Sequence, residues 1–201
     1  LIFVEAVIDW DLVSIDLTSA VVTPLLSTNR SEDMPAWAAN GSALVYVTDR
    51  NGSPEIWLHK PGESERPLVT SRDFPPGTTQ WFIGPTLSPD GNRAIYTRTQ
   101  RGGGSQLWMS ALAGGSPVPL SDEKRLVFAG SWSPDGGWLV YWGDHDGKTQ
   151  LYKVKTTGQA QPELVKADVR RSGFWVPVWS PTGEWILNQG GGVKLISPDG
   201  K

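Results

Sequence analysis

The sequence predicts an all-β fold built from a repeated four-stranded antiparallel unit, and three observations lead there. The 201 residues include 23 glycines and 16 prolines, while charged residues are only 19%, a balance that favours short strands and many turns over helices. Four related segments recur along the chain: Pro35-Ala-Trp-Ala-Ala-Asn-Gly41, Pro85-Thr-Leu-Ser-Pro-Asp-Gly91, Gly130-Ser-Trp-Ser-Pro-Asp-Gly136 and Pro177-Val-Trp-Ser-Pro-Thr-Gly183. Their closing glycines lie 50, 45 and 47 residues apart, a period that signals propellers or solenoids. Third, each segment is followed by short apolar runs separated by turn residues, enough for four strands per repeat.

Taken in order, each anchor leads into a second strand: Ala43–Val47, Arg93–Thr97, Trp138–Trp142 and Glu184–Asn188. Their aromatic and β-branched content and short length read as buried strands. Turns rich in Gly, Asn and Asp come next, at 49–52, 100–104 and 143–147, supplying the positive-φ positions of hairpins. Third strands are expected at Glu55–Leu58, Gln106–Met109 and Gln150–Lys153, and fourth strands at Arg66–Val69, Val118–Ser121 and Pro162–Val165. Proline in the fourth strands suits an edge, where a missing N–H is tolerated.

The ends fit the same frame. Ile2–Ala6, Asp11–Asp16 and Val22–Leu26 match strands two, three and four, and Gly191–Ile196 matches strand three, so that Ser197–Gly200 only mimics an anchor. The expected organisation is a β-propeller segment of about four and a half blades. A partial blade covers 1–28, complete blades cover 29–70, 71–121 and 122–166, and a second partial blade covers 167–201.

The anchor phrase, with its aromatic strand and the following Gln-Leu-Tyr or Glu-Ile-Trp, resembles the bacterial TolB-type propeller repeat, also called the WD40-like or PD40 repeat. The likeness covers essentially the whole chain. It is strongest at Trp132–Gly136 and departs at Ala38-Ala-Asn40, and at Leu87 in place of the anchor tryptophan. The resemblance implies a ring of six to eight blades, of which this chain would be part, and a periplasmic or extracellular setting. An open arc also leaves strand edges that invite self-association.

Composition excludes several classes. A net charge of −3 gives no cationic excess for neutralising phosphates, so nucleic acid is not an expected partner. No apolar stretch approaches the ~20 residues of a membrane helix, so no insertion is expected. The absence of cysteine removes disulfides and thiolate chemistry.

Asp90 and Asp135 sit in turn chemistry and read as scaffold. Gly143–Gly147 resembles half a calcium loop but lacks the downstream glutamate, and reads as a hairpin turn. No Gly-x-Ser-x-Gly elbow or Walker spacing occurs. No catalytic residue, metal or cofactor is therefore expected.

The face formed by loops entering first strands and leaving second strands is the expected binding surface. Its longest loop, Ser71–Gly84, carries the aromatic and Arg types enriched in binding hot spots. The candidate ligand-binding residues are Arg72, Phe74, Trp81 and Phe82, with Arg125, Arg170 and Arg171 from the same face. Trp81 and Phe82 would alternatively open a first strand and pack inward. Arginines 30, 50, 101, 125, 170 and 171 alternate with Glu32, Asp33, Asp122, Glu123 and Asp168, and an arginine fork suits carboxylates. The expected function is a non-catalytic binding or scaffold module for a protein, peptide or small ligand at the channel mouth. The alternative is the substrate-gating propeller of an S9-type serine peptidase.

Overall fold

The structure is a computed structural model that describes residues 9–75, 80–100, 104–121, 126–157, 161–170 and 176–201. Seventeen strands form five antiparallel sheets among these residues. The first sheet pairs β1 (Leu12–Ile15) with β2 (Val22–Leu26). The second contains β3 (Glu32–Trp37), β4 (Leu44–Thr48), β5 (Glu55–His59) and β6 (Arg66–Val69). The third contains β7 (Gln80–Leu87), β8 (Arg93–Gln100), β9 (Ser105–Ala111) and β10 (Val118–Pro119). The fourth contains β11 (Val127–Trp132), β12 (Trp138–His145), β13 (Lys148–Lys155) and β14 (Glu163–Lys166). The fifth contains β15 (Val178–Trp179), β16 (Ile186–Gln189) and β17 (Val193–Ile196). Each sheet follows chain order, which is the up-and-down blade of a β-propeller. The strand expected at Ile2–Ala6 lies outside the described residues.

The hydrophobic core lies between blades. Val45, Ile56 and Val69 of the second sheet share a cluster with Phe82, Ala94 and Tyr96 of the third. Ile95 and Leu107 then pack with Trp132, Leu139 and Tyr152 of the fourth, and Trp142 and Leu151 pack with Trp179, Ile186 and Ile196 of the fifth. Successive residues of a central strand point to opposite sides, so Ile95 and Tyr96 serve different neighbours. Of the anchor tryptophans, Trp132 and Trp179 are buried, whereas Trp37 meets His59 edge-on and stays 46% exposed.

The anchor turns have a common chemistry. In the third sheet the Ser88 hydroxyl bonds the Asp90 carboxylate and accepts from the Arg93 N–H at 3.0 Å, while the Gly91 N–H reaches the Ser88 carbonyl at 2.8 Å. Ser133, Asp135, Gly136 and Trp138 repeat it. The serine hydroxyls are the main reason that both aspartate carboxyls sit below the usual carboxylate range. Consecutive turns also touch. A Cβ on Gly136 would lie 3.5 Å from Pro89 Cδ, and one on Gly183 would lie 3.6 Å from Pro134 Cδ.

The 143–147 segment is a tight hairpin. His145 pairs with Lys148, and the two residues between, Asp146 and Gly147, have φ of 51° and 73°, the pattern of a type I′ turn.

Candidate functional site

The long loop after β6 begins as a 3-10 turn, Ser71–Asp73, capped reciprocally by Thr70 and Asp73. Arg72 is exposed there. The loop then turns inward. Phe74 is only 6% exposed, stands edge-on to Trp108 with ring centres 4.9 Å apart, and lies under the Arg98 guanidinium at 4.4 Å. Phe82, 2% exposed, sits 5.7 Å from Tyr96 in the same core. Both aromatics therefore pin the loop from inside. Apolar rings at the junction of two sheets gain more from burial than from solvent.

Trp81 alternates outward from Phe82 on β7 and is 42% exposed. It borders a cavity of about 340 Å³ between the second and third sheets, whose walls include Val47, Phe82 and Ile83. The cavity also contains two carboxylates, Asp33 on β3 and Asp49 just after β4. Sheet register brings these together. Asp33 stands opposite Val47, and Asp49 lies two residues beyond Val47 on the same side. The Oδ1 atoms of both aspartates are buried without a hydrogen-bond partner. Burial, and next the charge of Asp49, raise the Asp33 carboxyl above its ordinary value.

A β-bulge aims Asp33. The β3–β4 register shifts between Asp33 and Ala36, where Met34 adopts φ 49°. The equivalent bulge of β7 carries Gly84 at φ 55°, so a methionine holds a conformation that its sister strand gives to glycine. Met34 Sδ accepts from the Gly84 N–H at 3.3 Å, joining the two bulges across the blade boundary.

Of the other predicted residues, the described one, Arg170, does not join this cavity. Arg170 lies beside the fifth sheet, at a second cavity of about 360 Å³ shared with Lys166, Asp168 and Lys194. Arg125 and Arg171 fall outside the described residues, as do Arg101, Asp122 and Glu123. Arg50, read as a rim arginine for an acidic partner, is turned inward. It pairs with Glu65 at 3.0 Å and with the fully buried Glu32 at 3.3 Å, donates to the Tyr46 hydroxyl at 2.9 Å, and lies 4.3 Å over the Trp57 ring. A guanidinium held through both terminal nitrogens and one face is a brace between strands. Among the described residues, no group of three or more His, Asp or Glu is arranged to hold a metal ion. Nor, among them, is any helix long and apolar enough to cross a membrane.

Sequence reasoning missed Asp33 and Asp49 as a pair. Asp33 passed as rim charge and Asp49 as turn chemistry. The signal lay in strand register, since pairing Asp33 with Val47 puts residue 49 on the same face.

Known proteins share this architecture. A TolB from Acinetobacter baumannii superposes with a TM-score of 0.63 over 94% of this chain and 57% of its own, at 16% identity, which concerns the fold alone. The Tol-Pal system protein TolB of Anaeromyxobacter dehalogenans is 28% identical over 124 residues, 61% of this chain and 26% of that protein. The uncharacterized peptidase YuxL of Bacillus subtilis is 33% identical over 109 residues, covering 51% of this chain and 16% of the relative. The chain thus covers only 26% and 16% of the length of these curated relatives. The sequence model of the TolB beta propeller domain, PD40, matches residues 10–194. With repeat, blade topology and match in agreement, the chain belongs to the TolB beta-propeller family.

Proposed function

We propose that this chain is a non-catalytic binding module that takes a protein or peptide on the face bearing the loops that enter first strands and leave second strands. The observation that carries this reading is the contrast between the two faces. On one, the anchor turns lie against one another, Gly136 on Pro89 and Gly183 on Pro134. On the other, the exposed Trp81 borders an inter-blade cavity with unpartnered acceptors. Exposed tryptophan beside a cavity is the residue type and setting of an interface anchor. Arg72 and Trp81 supply the exposed contacts and Phe74 and Phe82 hold the loop in place, while Arg170 and, from the sequence alone, Arg125 and Arg171 are further candidate contacts.

The test is photocrosslinking in the native cell, with benzoylphenylalanine at position 81 or, on the opposite face, at position 135. A protein adduct from position 81 and none from 135 supports the reading. Adducts of equal yield from both, or none from 81, sink it.

The likeness to YuxL favours a second reading, the propeller of an S9-type serine peptidase, which would screen substrates for a hydrolase domain elsewhere in the polypeptide. The same open reading frame would then carry a Gly-x-Ser-x-Gly elbow followed by Asp and His. Sequencing the gene beyond this segment decides it.

A further inference from the structure

The cavity between the second and third sheets has a composition that specifies its occupant. Its lining is apolar over most of its wall, through Met34, Val47, Trp81, Phe82 and Ile83, and acidic at two points, Asp33 and Asp49. No Lys, Arg or His lines it among the described residues. Both aspartates keep a buried Oδ1 without a partner. A carboxylate oxygen withdrawn from water and left unpaired is costly, and two neighbouring negative charges add repulsion. The deficit is specific: one positive group with several N–H donors meets both carboxylates, and an aliphatic stem meets the apolar wall.

We propose that this cavity is the seat of a basic side chain, a lysine or arginine presented by an extended segment of a protein partner. The identification rests on the binding-module reading above and adds the chemistry of the partner to it. Charge complementarity selects the head group, with Asp33 and Asp49 as its acceptors. Trp81 offers its exposed ring to the methylenes or to the cation itself. A volume of about 340 Å³ accommodates one long side chain and excludes a folded element. Asp33 on β3 and Asp49 just after β4 belong to one blade, and Trp81 on β7 to the next, so the seat exists only where two blades meet.

The test uses the 15N-labelled 201-residue chain, with the Trp81 indole signal assigned through Trp81→Phe. Three pentapeptides are titrated, acetyl-Gly-Gly-X-Gly-Gly-amide with X as lysine, arginine or norleucine. The proposal expects the lysine or arginine peptide to shift and saturate the Trp81 signal, with affinity at least tenfold above that of the norleucine peptide. Asp49→Asn and, independently, Asp33→Asn each weaken the basic peptide by about tenfold, the usual loss for one charge-assisted hydrogen bond. Far-UV circular dichroism identifies the variants that keep the fold, and either one suffices. Equal binding of the norleucine peptide overturns the proposal. So does basic-peptide binding that survives both substitutions, or calcium chloride saturating the Trp81 signal where the peptides leave it unmoved. A protein adduct from position 81 together with no basic-peptide binding overturns the cation seat and leaves the binding face standing. Peptide binding without any adduct from position 81 does the reverse.

Discussion

The guanidinium of Arg93 lies 4.9 Å from the centre of the Trp132 ring. Arg93 opens β8 in the third sheet and Trp132 closes β11 in the fourth, so the contact crosses a blade boundary. The same side chain donates to the carbonyls of Thr156 and Gly136 at 3.2 and 3.4 Å. Removing it by Arg93→Ala forfeits a partly desolvated cation–π contact and two carbonyl bonds, an expected loss of about 2 kcal/mol. Arg93→Lys keeps the charge but not the planar fork, and recovers only part. Urea denaturation of the two variants against the parent checks both values.

Asp33 makes an electrostatic prediction with a definite sign. Its carboxyl is raised, first by burial and then by Asp49, so the folded chain binds a proton more readily than the unfolded one. Stability is therefore fully available below the ordinary carboxylate value of 3.8 and falls as pH rises through the raised value. Asp33→Asn removes that penalty and is expected to raise the melting temperature at pH 7, with the gain gone below 3.8. Half-burial and solvent screening hold the effect under about 1 kcal/mol. A melting temperature at pH 7 equal to or below the parent's refutes it.

Two glycines separate packing from backbone strain. A Cβ on Gly130 would press on the carbonyl oxygens of Val140 and Pro177, the latter at 2.7 Å, and the second of these belongs to the approach to the next blade. Neither oxygen can yield without moving a strand, so Gly130→Ala is expected to cost about 3 kcal/mol. Gly62 has φ +81° with nothing within 4 Å, and Gly62→Ala should cost only the left-handed penalty of about 1 kcal/mol. Equal destabilisation of the two variants contradicts the assignment.

The anchor serine is predicted to govern its aspartate. Ser133 is buried, bonds the Asp135 carboxylate and accepts from the Trp138 N–H at 2.9 Å. Ser133→Ala should cost about 1–2 kcal/mol at neutral pH and let the Asp135 carboxyl climb toward 3.8. Because that carboxyl is depressed in the folded chain, its contribution is present above 3.8 and lost as pH falls through the lowered value. The difference between parent and variant should shrink in acid. Carboxyl-carbon chemical shifts followed through a pH titration report the change directly.

The parts of the fold that depend on local chemistry were legible in the sequence. Turn residues at Gly91 and Gly136, and the aromatic strands after them, identify strand order because each signal lies within a few residues of its consequence. The site was legible only in part. Trp81 stands out in its loop, but Phe74 and Phe82 look the same as exposed anchors until β9 and β8 of the third sheet supply Trp108 and Tyr96 as partners. Arg50 reads as rim charge because Glu32 and Glu65, which neutralise it, lie 18 and 15 residues away on other segments. Asp33 and Asp49 meet through register, a property of pairing and not of either segment alone.

The contacts of Gly136 with Pro89 and of Gly183 with Pro134 make the molecule one-sided with respect to change. Along that spine every turn is also its neighbour's wall, so lengthening one displaces the next. At the far ends of the strands, the described residues Asp49 and Trp81 face a cavity instead. New specificity in such an arc can accumulate on one rim while the other keeps the blades in step, and a chain of this kind can change partners without renegotiating its architecture.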